Sequence, residues 1–408
     1  MSMVTSSLDH LRALVFSDPN PASSPHLAAL LHAESQVAKS IAGGDALPRG
    51  DVLRGVDPLR GANLDSILWE TAATAQPAAG RSDIPARGDL QVTARLRMAQ
   101  VPSSVVHLLE AGEQPLVTLT VQNHRTEPAR VRLRAVVEGY SAHAIDTVVV
   151  AAGGSSDIHL LPTFFPERLA AIREICRATL HLCIDDLDGK TEQERTVPIW
   201  LLPRSSALLY VADPATGQRR DLTRYLGAYV TPNAPGVLDL LRRAASQIPG
   251  GAVASYQVDA QGVQAQVAAV YNTLRDVGLT YVNSVLYAGV VPGVLGQRIR
   301  LPRESLEQRS ANCIDGVVLL ASVLEAASLN PAVVLVPGHA LLAWETGEGS
   351  NEWDYLETTL LGSAGFDSAW ESGRSLAEKY EALGRSKAQA FRRLSLRALR
   401  DQRIWPME

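Results

Sequence analysis

Between Arg309 and Trp344 the chain reads RSANCIDGVVLLASVLEAASLNPAVVLVPGHALLAW, and no other stretch restricts the fold as strongly. A polar turn leads into apolar residues at helical spacing, Asn330-Pro331 breaks that pattern, and a β-branched run follows that ends in Pro337-Gly338-His339. One amphipathic helix followed by one apolar strand, bent at the proline and glycine and continuing through Trp344, is the expectation. Asn312 suits an N-cap and Asp315, three residues on, completes a capping-box pair, so Cys313 falls on the first helical residue. Unpaired N–H groups and the positive end of the macrodipole favour a thiolate there. The Asp315 carboxylate opposes this, so a reactive thiol needs a base, and His339 is the candidate near it in sequence.

The rest of the composition narrows the setting. At 408 residues the chain exceeds one typical core, which predicts two or three domains. A hydrophobic share of 46%, a charged share of 20% and a net charge of −5 provide no field suited to nucleic acid. The three cysteines, Cys176, Cys183 and Cys313, are too sparse and too scattered for a disulfide framework, which fits a reducing compartment. The N-terminus lacks a basic region followed by an apolar core, and no run reaches the length of a membrane span. These features predict a cytoplasmic protein with neither nucleic acid nor membrane as partner.

Three segments emerge along the chain. Residues 1–88 read as a helical N-terminal segment, with helices near Pro25–Ile41 and Leu64–Thr74, and an irregular linker rich in glycine and proline. Residues 89–220 change to period two in LQVTARLRM, LVTLTVQN, ARVRLRAVVEGY, DTVVVAA, RATLHLCID and RTVPIWLLP, with a helical insertion near Pro166–Ile175. Short strands at this spacing predict an antiparallel β-sandwich, closed by a strand at Leu208–Val211. Residues 221–408 turn helical at Gly236–Ser246 and Gly262–Asp276, and a short strand, GLTYV, leads to a loop over Tyr287–Arg300. A helical turn over Pro302–Arg309 precedes Cys313, a second strand over Glu352–Thr359 pairs with the one reaching Trp344, and a helical tail runs over Phe366–Arg403. The fold class expected is α+β.

A cysteine at a helix start, a histidine on the following strand and a carboxylate on the next resembles the transglutaminase-like superfamily, a branch of the papain-like cysteine hydrolases. That family places Arg-x-Gly-x before the cysteine and ends the second strand in Asp-x-Thr. The corresponding stretches here are Arg309-Ser310-Ala311-Asn312-Cys313, His339-Ala340-Leu341-Leu342-Ala343-Trp344 and Glu357-Thr358-Thr359. The glycine is missing, and glutamate stands for aspartate. The resemblance covers about Asp221–Leu361 and implies a transglutaminase-like α+β domain after the sandwich.

From Asp221 to Glu408 there is one cysteine and one histidine, so a metal site of several nitrogen and sulfur ligands cannot be built there, and no HExxH occurs. His181 and Cys183 share a strand face but lack a second ligand pair, so they read as structural, and neither metal nor cofactor is expected. Acyl transfer would use Cys313 as nucleophile, His339 as general base and acid, and Glu357 to orient the imidazole. Asp354 is the alternative third member, on the strand face opposite Trp353, Tyr355 and Glu357. The Cys313 N–H would serve the oxyanion, with a side-chain donor from Gln308 or Gln297. The expected reaction is hydrolysis of peptide or isopeptide bonds in a protein or peptide substrate, with the sandwich offering a surface to a protein partner. Transglutaminase or deamidase activity, or a silent binding protein, are the alternatives.

Overall fold

The period-two stretches fold into two sheets. In the computed structural model, which describes residues 81–87, 89–189, 191–212, 219–282, 294–384 and 390–407, one sheet has the order β1 (Arg81–Arg87), β2 (Leu90–Leu96), β4 (Val117–Asn123), β7 (Ser155–Leu160). The other has the order β3 (Gln100–Pro102), β9 (Thr191–Leu202), β8 (Cys176–Asp186), β5 (Ala129–Val137), β6 (Ala144–Val150). Strand pairing is antiparallel throughout except between β3 and β9. Alternate residues of β2 and β4 (Val92, Ala94, Leu119, Val121) meet those of β5 and β8 (Val131, Leu133, Leu180, Leu182) in one core. A short helix, α1 (Pro166–Ala170), lies between β7 and β8. All described residues belong to one compact unit, Ala78–Glu408.

Two boundaries differ from the sequence reading. Sheet structure begins at Arg81, inside the stretch read as linker, because β1 finds hydrogen-bond partners along β2. At the other end, β10 (Ser206–Ala212) pairs with β11 (Arg219–Asp221) and with β13 (Val294–Arg298), and its Ala207 and Leu208 enter the core of the C-terminal half. Strand β13 falls where a loop was expected, since a chain with its own Gly and Pro can still be recruited by a partner edge. The helices expected near Pro25–Ile41 and Leu64–Thr74 lie outside the described residues.

The C-terminal half is built around α5 (Cys313–Ala326). Every residue from Ile314 to Leu324 is buried, so this helix is covered on all sides rather than amphipathic. Helices α2 (Pro235–Gln247), α3 (Ala260–Asp276) and α4 (Pro302–Gln308) pack on one side of it. On the other lies an antiparallel sheet of order β17 (Trp353–Leu356), β16 (His339–Glu345), β15 (Pro331–Val336), β18 (Arg392–Ser395). Each fully buried Val or Leu of α5 contributes roughly 1.5–3 kcal/mol of transfer free energy. The sheet is covered on both faces, which is why β15 and β16 read as continuous apolar runs. Val333, Leu342 and Trp344 join the α5 core, while Val334, Leu341 and Ala343 face α6 (Phe366–Gly384) through Ala377.

Two details correct the expected layout. Pro337-Gly338 does not bend one strand; it reverses the chain, pairing Val336 with His339 in a tight hairpin with Gly338 at φ 71°. That left-handed conformation is the one glycine adopts at least cost. The tail is not helical throughout: Arg392–Ser395 form β18 along β15, followed by α7 (Leu396–Asp401), because the open edge of β15 supplies a ladder for it. Among the described residues no helix is long and apolar enough to cross a membrane.

Candidate functional site

Cys313 is the first residue of α5, and its position is fixed by local hydrogen bonds. The Asn312 side chain accepts from the Asp315 N–H at 2.8 Å, and the Asp315 carboxylate accepts from the Asn312 N–H at 3.1 Å. The two residues before Asn312 form β14 (Ser310–Ala311), parallel to β12 (Thr280–Tyr281). Extended backbone at Ala311 needs no glycine, and the left-handed residue of the turn is Arg309, at φ 49°. Neither Ser310 nor Ala311, the two residues standing where the sequence reading expected a glycine, takes a conformation that requires one.

Asp315 does not stand as an isolated negative charge beside the thiol. Its side chain is fully buried and bonded to Arg300 at 2.7 Å, and the Arg300 N–H donates to its other oxygen at 2.7 Å.

The β15–β16 hairpin brings His339 to the start of α5, and the end of β17 brings Glu357 to His339. His339 Nε2 lies 2.7 Å from Glu357 Oε2. A carboxylate can only accept, so Nε2 carries the proton and Nδ1 is the nitrogen left for a second partner, with Cys313 among the groups that act on the ring. Burial pushes the His339 pKa down, but the bonds to Cys313 and Glu357 and their charges outweigh it and raise it to about 10. Burial likewise pushes Glu357 up, and the His339 and Thr359 contacts reverse this and hold its carboxyl below the usual value. The other oxygen, Oε1, accepts from the Thr359 N–H at 2.9 Å and from the Thr359 hydroxyl at 2.7 Å. Both oxygens of Glu357 are thereby committed.

Neighbouring residues tie the parts together. The Thr358 hydroxyl donates to the Cys313 carbonyl at 2.9 Å, joining the Glu357 turn to the first residue of α5. Gly316, one turn into the helix, makes room for this approach: a Cβ there would lie 3.0 Å from the Thr358 Cβ. Backbone support comes from α6, where the Ala369 carbonyl accepts from the Glu357 N–H at 3.0 Å.

The remaining sequence candidates lie elsewhere. Asp354 Oδ1 accepts from the Tyr355 N–H and sits 3.7 Å from Arg374, so this carboxylate faces α6 and not the imidazole. Gln308 is exposed at the end of α4, where its Oε1 accepts from Arg300 Nε at 2.9 Å. Gln297 is half-buried on β13, opposite Ala207 of β10. His181 contacts Glu138 at 3.2 Å and Cys183 contacts Glu194 at 3.9 Å. Cys183, Glu192 and Glu194 bring possible ligand atoms within 4.8 Å of one another, with Arg134 paired to Glu192 beside them. Sequence reasoning missed Arg300 and Thr358. For Arg300 no local pattern exists, because its partner is fifteen residues away; Thr358 was visible only as the middle of Glu357-Thr358-Thr359.

Comparison with known proteins adds little to this geometry. No family model matches the chain, and no curated protein matches it by sequence. Among solved structures, a FixG-related protein from Vibrio parahaemolyticus is similar over 31% of this chain and 95% of its own length, at 14% identity and a TM-score of 0.16. A stretch of native alpha-2-macroglobulin from Escherichia coli, from domain MG7 to the C-terminus, is similar over 51% of this chain and 35% of its own, at 15% identity and a TM-score of 0.19. Beta-glucuronidase 2 of Bacteroides uniformis is similar over 33% of this chain and 14% of its own, at 10% identity and a TM-score of 0.17. At these TM-scores the likenesses carry no argument about fold or function.

Proposed function

We propose that the C-terminal half is a transglutaminase-like, papain-like cysteine hydrolase that cleaves peptide or isopeptide bonds, and that the two sheets before it form a β-sandwich that positions a protein substrate or partner. The observation that carries this reading is the His339 Nε2 to Glu357 Oε2 bond of 2.7 Å, on an imidazole whose electrostatics Cys313 also influences. Transfer of the Sγ proton to Nδ1 gives the thiolate and imidazolium that the attack requires. Cys313 Sγ attacks the carbonyl carbon and the carbonyl oxygen takes the negative charge near the N–H groups of the α5 start, which lack helical partners. Nδ1–H then protonates the leaving amine, giving a thioester and a neutral ring. Deacylation follows when Nδ1 takes a proton from water, hydroxide adds to the thioester, and the thiolate leaves with the carboxylic acid released.

An alkylation profile tests this directly. Iodoacetamide should modify Cys313 of the wild type at pH 6 at least tenfold faster than a free thiol, a figure on the order of the thiolate enrichment such pairs provide. His339→Gln should abolish the advantage. Proteome-wide labelling of new N-termini, wild type against Cys313→Ala, would then identify the bonds cut. Reaction of wild-type Cys313 no faster than a free thiol below pH 7 would sink the proposal.

A further inference from the structure

Resting on that reading, we propose that Arg300 is a positioning residue of the thiol site, acting through Asp315 to keep the negative charge in the first turn of α5 from suppressing the Cys313 thiolate. Asp315 is required where it is: its carboxylate closes the capping box by accepting from the Asn312 N–H, which sets the start of the helix and with it the direction of Cys313. A carboxylate in the first helical turn stabilises the helix. The same carboxylate, two residues from the thiol and fully buried, disfavours a second negative charge beside it.

Arg300 resolves the conflict. Its guanidinium bonds to Asp315 Oδ2 and its own N–H to Oδ1, so one residue neutralises the charge and fixes both oxygens. The guanidinium is held in turn by Gln308 Oε1 at 2.9 Å. This gives Gln308 a role other than the oxyanion donor expected from its sequence position: it clamps Arg300. Among the described residues, the charged and titratable groups that the hydrogen-bond network ties to the Cys313 end of α5 are His339 and Glu357 from the sheet side, and Asp315 with Arg300 from α5 and the segment before α4. The first couple supplies the proton acceptor, and the second removes an electrostatic obstacle.

The two charges of the buried couple predict effects of opposite sign, which a purely structural role would not produce. Alkylation of Cys313 by iodoacetamide is measured from pH 5 to pH 9 on the full chain, alongside a thermal melt of each variant. Arg300→Met leaves the carboxylate uncompensated and should slow the reaction at pH 7 by about tenfold, the effect of one buried charge in the same helical turn under partial screening. Asp315→Asn leaves the guanidinium uncompensated and should speed it by a similar factor. Arg300→Lys keeps the charge and should stay near the wild type, and Arg300→Met combined with Asp315→Asn should recover most of the rate lost by Arg300→Met alone. The proposal is overturned if Arg300→Met reacts like the wild type, or if Asp315→Asn slows the reaction. Where Arg300→Met does not fold, the sign of the Asp315→Asn effect decides. A wild-type Cys313 no faster than a free thiol defeats the hydrolase reading itself, whereas a fast wild type unaffected by these variants defeats only the role of Arg300.

Discussion

Gly373 of α6 and Leu356 of β17 meet backbone to backbone: a Cβ on Gly373 would fall 2.6 Å from both the N and the Cα of Leu356. This contact lets the helix reach the strand end closely enough for Ala369 to accept the Glu357 N–H. The carboxylate that faces His339 is therefore aimed by a glycine on a neighbouring helix. Gly373→Ala would raise helix propensity by about 1 kcal/mol, but the atoms it meets are main chain and cannot step aside. We expect a net loss of about 2–3 kcal/mol, in the range of overpacking, together with a slower reaction of Cys313, read by urea unfolding and alkylation of the same variant. Unchanged stability and reactivity would show that the α6 contact does not aim Glu357.

Glu357→Gln probes the imidazole tautomer. The Thr359 N–H must meet an oxygen, so the glutamine would turn its carbonyl to Thr359 and its NH₂ to His339. Nε2 would then accept instead of donate, and a neutral ring would hold its proton on Nδ1, where it cannot take one from the thiol. Single-turnover acylation should fall by roughly 10³-fold or more with little change in secondary structure by circular dichroism. Retention of most of the acylation rate would remove Glu357 from its orienting role.

Stability should follow the same pair. His339 has its folded value raised from 6.5 to about 10, so its contribution is fully present below pH 6.5 and is lost as pH climbs toward 10. Glu357 is lowered from its ordinary 4.5, so its contribution is present above that pH and is lost as pH falls below it. The pair therefore stabilises most between pH 4.5 and 6.5. Thermal melts of the wild type and His339→Gln should differ most in that window and converge toward pH 10. A gap that widens with rising pH would contradict the pairing.

Much of this site is legible in the chain because it depends on neighbours within four residues. Asn312 and Asp315 specify a helix start whatever surrounds them, which places Cys313 on the first turn. Pro337-Gly338 marks an interruption of the apolar run on local grounds alone, and the period-two stretches declare strands through alternation. What alternation could not reveal is visible in β7, whose polar sequence SSDIHL is a strand because β4 lies beside it, and in β13 and β18, both recruited by open sheet edges.

Sequence by itself determined the order cysteine, histidine and glutamate and the local geometry of each. Only the tertiary structure decided which polar groups meet. Whether Pro337-Gly338 bends or reverses the chain rests on Val336 pairing with His339. The choice of Glu357 over Asp354 rests on β17 stopping at Leu356 against Gly373, after which strand alternation no longer governs where a side chain points. Arg300 finds Asp315 only once α4 packs on α5. The physical reason is common to all three: local hydrogen bonds are written in neighbouring residues, whereas a buried ion pair or a shared strand edge requires distant segments to be brought together by apolar burial, and that burial is indifferent to which polar partners it aligns.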